Sequence, residues 1–197
     1  MLLCNGALDA REKIVQTLKE TTARRATVDM IMCMTTHGVI NETAAASSAD
    51  GMDDDDDDDD MFHLLHVLLW QKLAANCVCN PLTALWNVPN GELANNSIFA
   101  ALREQIVNEI STVGRALHPE LEKDLRPSSL DQFVEQVIHA NLLNQSSMAR
   151  DIAKQQRTEV ENLNGYIVRK SSELGVGSAP ANKELLERIQ ETQNSYL

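Results

Sequence analysis

Aromatic residues are scarce in this chain: two Trp, two Tyr and three Phe, 4% of 197 positions. Aromatic and β-branched side chains favour strands, so the shortage points to a helical interior packed by Leu, Ala and Val. Long apolar runs are missing too. No stretch approaches the ~20 residues of a membrane-spanning helix. The N-terminal MLLCNGALDA has neither the basic region nor the apolar length of a signal peptide. Positive charge is in short supply, with 17 Lys and Arg against 29 Asp and Glu, which leaves no basic footprint for nucleic acid. The four cysteines, Cys4, Cys33, Cys77 and Cys79, form no Cys-x-x-Cys pair, and Cys77-x-Cys79 has no nearby histidine to complete a zinc site. Apolar neighbours mark them as buried thiols of a reducing, cytoplasmic setting. His63 and His66 lack a third ligand, so no metal is expected.

The net charge of −12 overstates the acidity. Eight of those charges are a run of Asp at 53–60, leaving −4 for the rest. Like charges at that density repel and resist packing, so residues 41–61 read as a disordered, Asp-rich linker. Eight carboxylates offer oxygen ligands but no fixed geometry for a cation. Before the linker, residues 1–40 hold two short β-like runs, at 1–4 and 28–34, around a helix-compatible segment at 11–19.

From residue 62 onward the pattern is helical, and about six helices are expected. The first covers 64–79 and ends at Asn80-Pro81, because proline restricts the residue before it. A short helix at 82–86 precedes the turn Pro89-Asn90-Gly91. Ile98, Leu102, Ile106, Ile110, Val113 and Leu117 recur at helical spacing along one long helix. Pro127-Ser128-Ser129 opens another, with Ser129 and Gln132 in capping-box positions. Its apolar face runs Leu130, Val134 and Val137, then Asn141, Asn144, Met148 and Ile152. Thr158 and Glu161 form a second capping box, on a helix that ends at Gly175. Gly165 falls mid-helix, where close packing would explain it. Asn182 can cap a last helix over 183–193.

The chemistry concentrates in the stretch WQKLAANCVCNPLTALWNVPNGEL, residues 70–93. Lys72, Asn76 and Asn80 stand four residues apart. Each step of four turns a helix by about 40°, so one cation and two amides share a stripe of an apolar helix. Polar groups in such surroundings need partners. A lysine among carboxamides is suited to donate a proton to a bound oxygen, and apolar surroundings ease its deprotonation. Asn144 and Ser147, three apart, would face one way on a continuous helix and line a cavity.

The same residues carry a resemblance. Trp70-x-Lys72-Leu73, Asn76, Asn80-Pro81-Leu82-Thr83-Ala84 and Pro89-Asn90-Gly91-Glu92-Leu93 resemble the start of the C-terminal domain of the ketopantoate reductase (2-dehydropantoate 2-reductase) family. A second block, Ser146-Ser147-Met148-x-x-Asp151-Ile152 followed by Thr158-Glu159-Val160-Glu161-x-x-Asn164-Gly165, is similar to that family's SSM and TEID-x-x-NG signature. The resemblance implies a mainly α fold. Residues 62–197 would be a six-to-seven-helix domain akin to the 6-phosphogluconate dehydrogenase C-terminal domain, and 1–40 the truncated end of an α/β Rossmann domain.

The resemblance also implies roles. Lys72 and Glu159 would be catalytic, Lys72 as general acid and Glu159 as a contact to the substrate hydroxyl. Asn76, Asn80, Asn90, Asn144 and Ser147 would bind substrate, while Asp151 and Glu161 read as structural. The cofactor would be NADPH, with Asn5 as a contact through the shorter N-terminal match. The implied partners are a small 2-keto acid and a second copy of the helical domain, with neither nucleic acid nor membrane. The departure from the family is large: no Gly-x-Gly-x-x-Gly turn exists to seat a pyrophosphate, since Gly175-x-Gly177 follows a helix and lacks the third glycine, and the Asp-rich linker stands where a strand and helix should connect residues 40 and 64. Either the sequence is an incomplete version of a full reductase or it is a real truncated protein. As a fragment it is expected to be inactive. The alternative reading is a non-catalytic helical interaction or dimerisation module derived from that family.

Overall fold

The computed structural model describes residues 56–197, with side chains from residue 63. The chain divides into two units, Met1–His66 and Val67–Leu197. Of the first, only the opening turns of one helix are described; the second is described throughout. Asn5, residues 1–40 and the linker up to residue 55 lie outside the described residues.

Among the described residues there are seven α-helices and no strand, as the helical pattern predicts. They are α1 (Asp56–Trp86), α2 (Asn90–Asn95), α3 (Ser97–Leu117), α4 (Pro127–Ala140), α5 (Ser147–Ala153), α6 (Asn164–Leu174) and α7 (Pro180–Asn194). Single 3-10 turns lie at Pro119–Leu121 and Val160–Asn162. No described helix is long and apolar enough to cross a membrane.

Helix α1 organises the domain. Leu73, Ala74, Ala75, Cys77, Val78, Cys79 and Leu82 are all buried. Residues one apart point about 100° from each other, so this segment is covered on most sides, the half-buried Lys72 and Asn76 excepted. A helix apolar over most of its circumference belongs largely in an interior. Small residues in α1 let its neighbours come close. On α3, Gly114 does the same for Trp70: a Cβ there would meet Leu125 Cδ1 at 3.1 Å and Trp70 Cε3 at 3.2 Å. Trp70 is 1% exposed and lies 6.4 Å, ring to ring, from Tyr166 of α6. Helix α3 packs on α4, α6 and α7, and α6 pairs with α7. On α3 the buried Ile106, Ile110 and Val113 follow the predicted spacing, Leu102 and Leu117 are half-buried, and Phe99 is buried where Ile98 was expected, Ile98 itself being exposed.

Several boundaries differ from those expected, each for a physical reason. Residues 56–61, expected in the linker, open α1 instead; a helix N-terminus accommodates acidic residue types because its first N–H groups are unpaired. Helix α1 does not end at Asn80-Pro81 but runs through Pro81 to Trp86, so 82–86 is no separate helix. The hydrogen bond that Pro81 cannot make is replaced from elsewhere in the domain. The helix expected to join Leu130 to Ile152 is broken: α4 stops at Ala140, and α5 starts at Ser147 behind its N-cap Ser146. The intervening turn is held by Leu142 O and Asn144 O, which accept the N–H groups of Gly91 and Asn90 at 2.8 and 3.0 Å. Those donors, in the first turn of α2, have no intrahelical acceptor.

The capping boxes fare unevenly. Helix α4 begins at Pro127, whose fixed φ suits the first helical position, so Ser129 lies inside it rather than at its cap. Thr158 Oγ1 accepts the N–H of Val160, but it is succeeded only by a 3-10 turn, and α6 starts at Asn164. Gly165 is thus the second residue of α6, and a Cβ there would meet only side-chain ends, the nearest being Glu161 Oε2 at 3.0 Å. Gly175 does end α6, with φ of 64°. Asn182 is not the cap of α7; it lies inside that helix, wholly buried.

Candidate functional site

Because α1 is unbroken from Asp56 to Trp86, Lys72, Asn76 and Asn80 do form one stripe. Exposure falls along it: Lys72 and Asn76 are half-buried, and Asn80 is 7% exposed. The stripe therefore descends from the edge of the domain into its interior. A cation held at such an edge keeps contact with water, while the amides below can orient a bound molecule.

Two other segments are fixed beside the deep end of the stripe. Ser146 is buried, and its Oγ accepts the N–H of Ala149 at 3.1 Å as the N-cap of α5. The same Oγ lies 2.7 Å from Thr83 Oγ1 and 3.4 Å from Asn80 O. Thr83 Oγ1 in turn donates to Cys79 O at 2.6 Å. A hydroxyl cluster thus joins the start of α5 to α1 at Asn80. It leaves the next residue, Ser147, exposed at the first position of α5. Of the two serines, Ser146 is occupied by structural bonds and Ser147 is available to a ligand.

The second segment is the turn at Asn90. Asn90 opens α2 and is 8% exposed, and its Oδ1 is buried without a hydrogen-bond partner. A buried amide oxygen left without a donor is costly, and it marks a place where a ligand's hydroxyl would be welcome. Backbone pairing brings Asn90 to Asn144. Asn144 does not lie on a helix with Ser147, so the shared-face argument fails. It sits in the turn between α4 and α5, exposed, with Nδ2 bonded to Asn141 Oδ1 at 2.9 Å. The turn still carries Asn144 to the Asn90 segment, by a route that helical periodicity cannot foresee.

Glu159 is half-buried, just before the 3-10 turn Val160–Asn162, and its carbonyl accepts the N–H groups of Asn162 and Leu163 at 2.8 and 3.1 Å. Five residues later Asn164 is wholly buried and donates through Nδ2 to Cys77 O at 3.0 Å. That bond fastens the Glu159 segment to α1 beside Asn76. Pro81, Thr83, Ser146 and Asn164 make up this framework, and residue type and spacing alone do not reveal their roles. The one signal for it in the sequence is a proline within an otherwise helical pattern, which leaves one carbonyl without its donor.

The helical domain has relatives of known family. A family profile described as "Ketopantoate reductase PanE/ApbA C terminal" matches residues 65–193. The 2-dehydropantoate 2-reductase of Shigella flexneri is 40% identical over 129 residues, 65% of this chain and 40% of that protein. The chain therefore spans about two-fifths of the length of the curated relatives it matches. Among solved structures, the PanE/ApbA family ketopantoate reductase of Ralstonia eutropha JMP134 superposes with a TM-score of 0.57 at 30% identity, covering 65% of this chain and 41% of that one. A D-mandelate dehydrogenase, solved with NADH and anilino(oxo)acetate, superposes with the same TM-score at 27% identity over 67% of this chain and 42% of its own. The helical architecture, the two motif blocks and the extent of the match lead to one conclusion: this chain belongs to the family of ketopantoate reductase C-terminal domains.

Proposed function

We propose that the helical domain is the substrate-binding and proton-delivering part of an NADPH-dependent 2-dehydropantoate 2-reductase, which reduces the C2 ketone of 2-dehydropantoate to (R)-pantoate on the route to pantothenate and coenzyme A. The observation that carries this reading is the unbroken α1, which sets Lys72 at the edge of a stripe with Asn76 and Asn80 beneath it.

Reduction of a ketone leaves negative charge on oxygen, and that oxygen needs a proton. The Lys72 ammonium supplies it and becomes a neutral amine. Asn76 and Asn80 orient the substrate without adding charge. Asn90, whose Oδ1 has no protein donor, and Asn144 orient the rest of it. Ser147 binds the carboxylate end, and Glu159 holds the single hydroxyl of the substrate. The described residues include no strand and no glycine-rich turn opening a helix, so they do not fit a dinucleotide pyrophosphate. NADPH would be seated by a nucleotide domain, and the 197-residue polypeptide alone should be inactive.

A chimera in which a complete nucleotide domain precedes residues 62–197 tests the assignment. Lys72→Ala should lower turnover by roughly 10²–10⁴-fold, the range for a lost general acid. Glu159→Ala should chiefly raise KM, because it contacts a group that does not react. Near-wild-type turnover by Lys72→Ala would sink the mechanism.

A further inference from the structure

Pro81 lies inside α1, where a proline donates no hydrogen bond and crowds the carbonyl four residues earlier. That carbonyl belongs to Cys77, whose residue is 0% exposed, so water cannot serve it. Asn164 serves it instead. Its Nδ2 donates to Cys77 O and to Asn182 Oδ1, each at 3.0 Å, which uses both amide hydrogens. Asn182 passes the connection on: its Nδ2 donates to Glu109 Oε2 at 2.7 Å. The Glu109 carboxylate also accepts the N–H groups of Ala181 and Asn182 at 2.8 and 2.9 Å. A chain of polar bonds, part-buried at Glu109 and buried from Asn182 onward, therefore runs from α3 through α7 and α6 and ends on α1 at Cys77.

The end point matters. Cys77 adjoins Asn76 and lies between Lys72 and Asn80, while Asn164 comes five residues after Glu159. Apolar packing is non-directional and would let α1 turn or slide against α6. A carboxamide bonded at both hydrogens in a buried network is directional. We propose that Asn164 is a positioning residue: its carboxamide replaces the backbone hydrogen bond that Pro81 removes, and so sets the rotation of the Lys72–Asn76–Asn80 stripe against the segment carrying Glu159. What that stripe does rests on the proposed function; that Asn164 sets it does not.

The test uses the full 197-residue chain and four variants: Asn164→Leu, Pro81→Ala, the two combined, and Val134→Ala as a buried truncation on α4 that belongs to no part of the network. Pro81→Ala returns an N–H to the position facing Cys77 O. Urea midpoints and the side-chain amide NMR signals of Asn76 and Asn80 are recorded for each. Asn164→Leu should lower the midpoint and move both signals. When it is combined with Pro81→Ala the loss should be smaller and the signals should return towards their original positions. Val134→Ala should lower the midpoint and leave the signals in place. Equal losses from Asn164→Leu with and without Pro81→Ala, unmoved signals in Asn164→Leu, or equal movement in Val134→Ala would overturn the proposal. If Asn164→Leu does not fold, a folded double variant supports it and an unfolded one overturns it. None of these readouts needs substrate, so a failed Lys72 mechanism would leave them unchanged.

Discussion

Gly91 shows how tightly single residues constrain the site. A Cβ on it would stand 2.9 Å from the carbonyl oxygen of Leu142. That oxygen cannot retreat, because it accepts the Gly91 N–H at 2.8 Å. Gly91→Ala should therefore destabilise the domain by about 1–3 kcal/mol, the usual cost of overpacking. Urea denaturation checks this, and an unchanged midpoint would show that the α4–α5 turn is looser than it looks. The two described cysteines make a different case. Both are buried. Burial pushes the Cys79 thiol up to about 12, against an opposing pull from Arg103, and it raises Cys77 further. Thiolate, the reactive form, is then negligible near pH 8. Cys77 and Cys79 should react with an aromatic disulfide reagent only as the domain opens, with a rate that tracks urea rather than reagent concentration.

Helices in this domain are completed by groups from other helices. The first N–H groups of α2 bond to the turn after α4, and the carbonyl freed by Pro81 bonds to α6. The N-terminus of α7 has no side-chain cap of its own, since Ala179 stands at that position. Glu109 of α3 supplies the missing acceptors, and a carboxylate suits the positive end of a helix. Hydrogen bonds to a charged group are worth about 1.5–3 kcal/mol, so Glu109→Ala should cost roughly that much stability at neutral pH. The first turn of α7 should also lose hydrogen-exchange protection before the rest of the helix does. Uniform loss along α7 would mean that Glu109 supports the whole core rather than this one end.

For the whole molecule, the consequence is a division of labour. The helical domain holds candidate groups for binding a 2-keto acid and delivering a proton, yet nothing among its described residues fits a dinucleotide. The 197-residue polypeptide alone should not bind NADPH tightly, for want of a glycine-rich turn at a helix N-terminus. Isothermal titration calorimetry decides this; binding at micromolar strength or better would reveal a nucleotide site of unfamiliar construction.

Periodicity and motif content determined a good deal. The apolar spacing from Ile98 to Leu117 yields α3, Gly175 yields the end of α6, and the run from Trp70 to Leu93 yields the family and the stripe, since four-residue spacing needs only a helix to become a shared face. These are local properties, carried by side chains a few positions apart. Tertiary structure decided where helices continue or stop. Pro81 should end α1 by every local rule, and does not, because Asn164, 83 positions away in the chain, meets the unpaired Cys77 carbonyl. Residues 141–146 should continue α4, and do not, because their carbonyls pair with the start of α2. In both places a backbone group without a local partner finds one from a distant segment, and no window of sequence contains both halves of that bond.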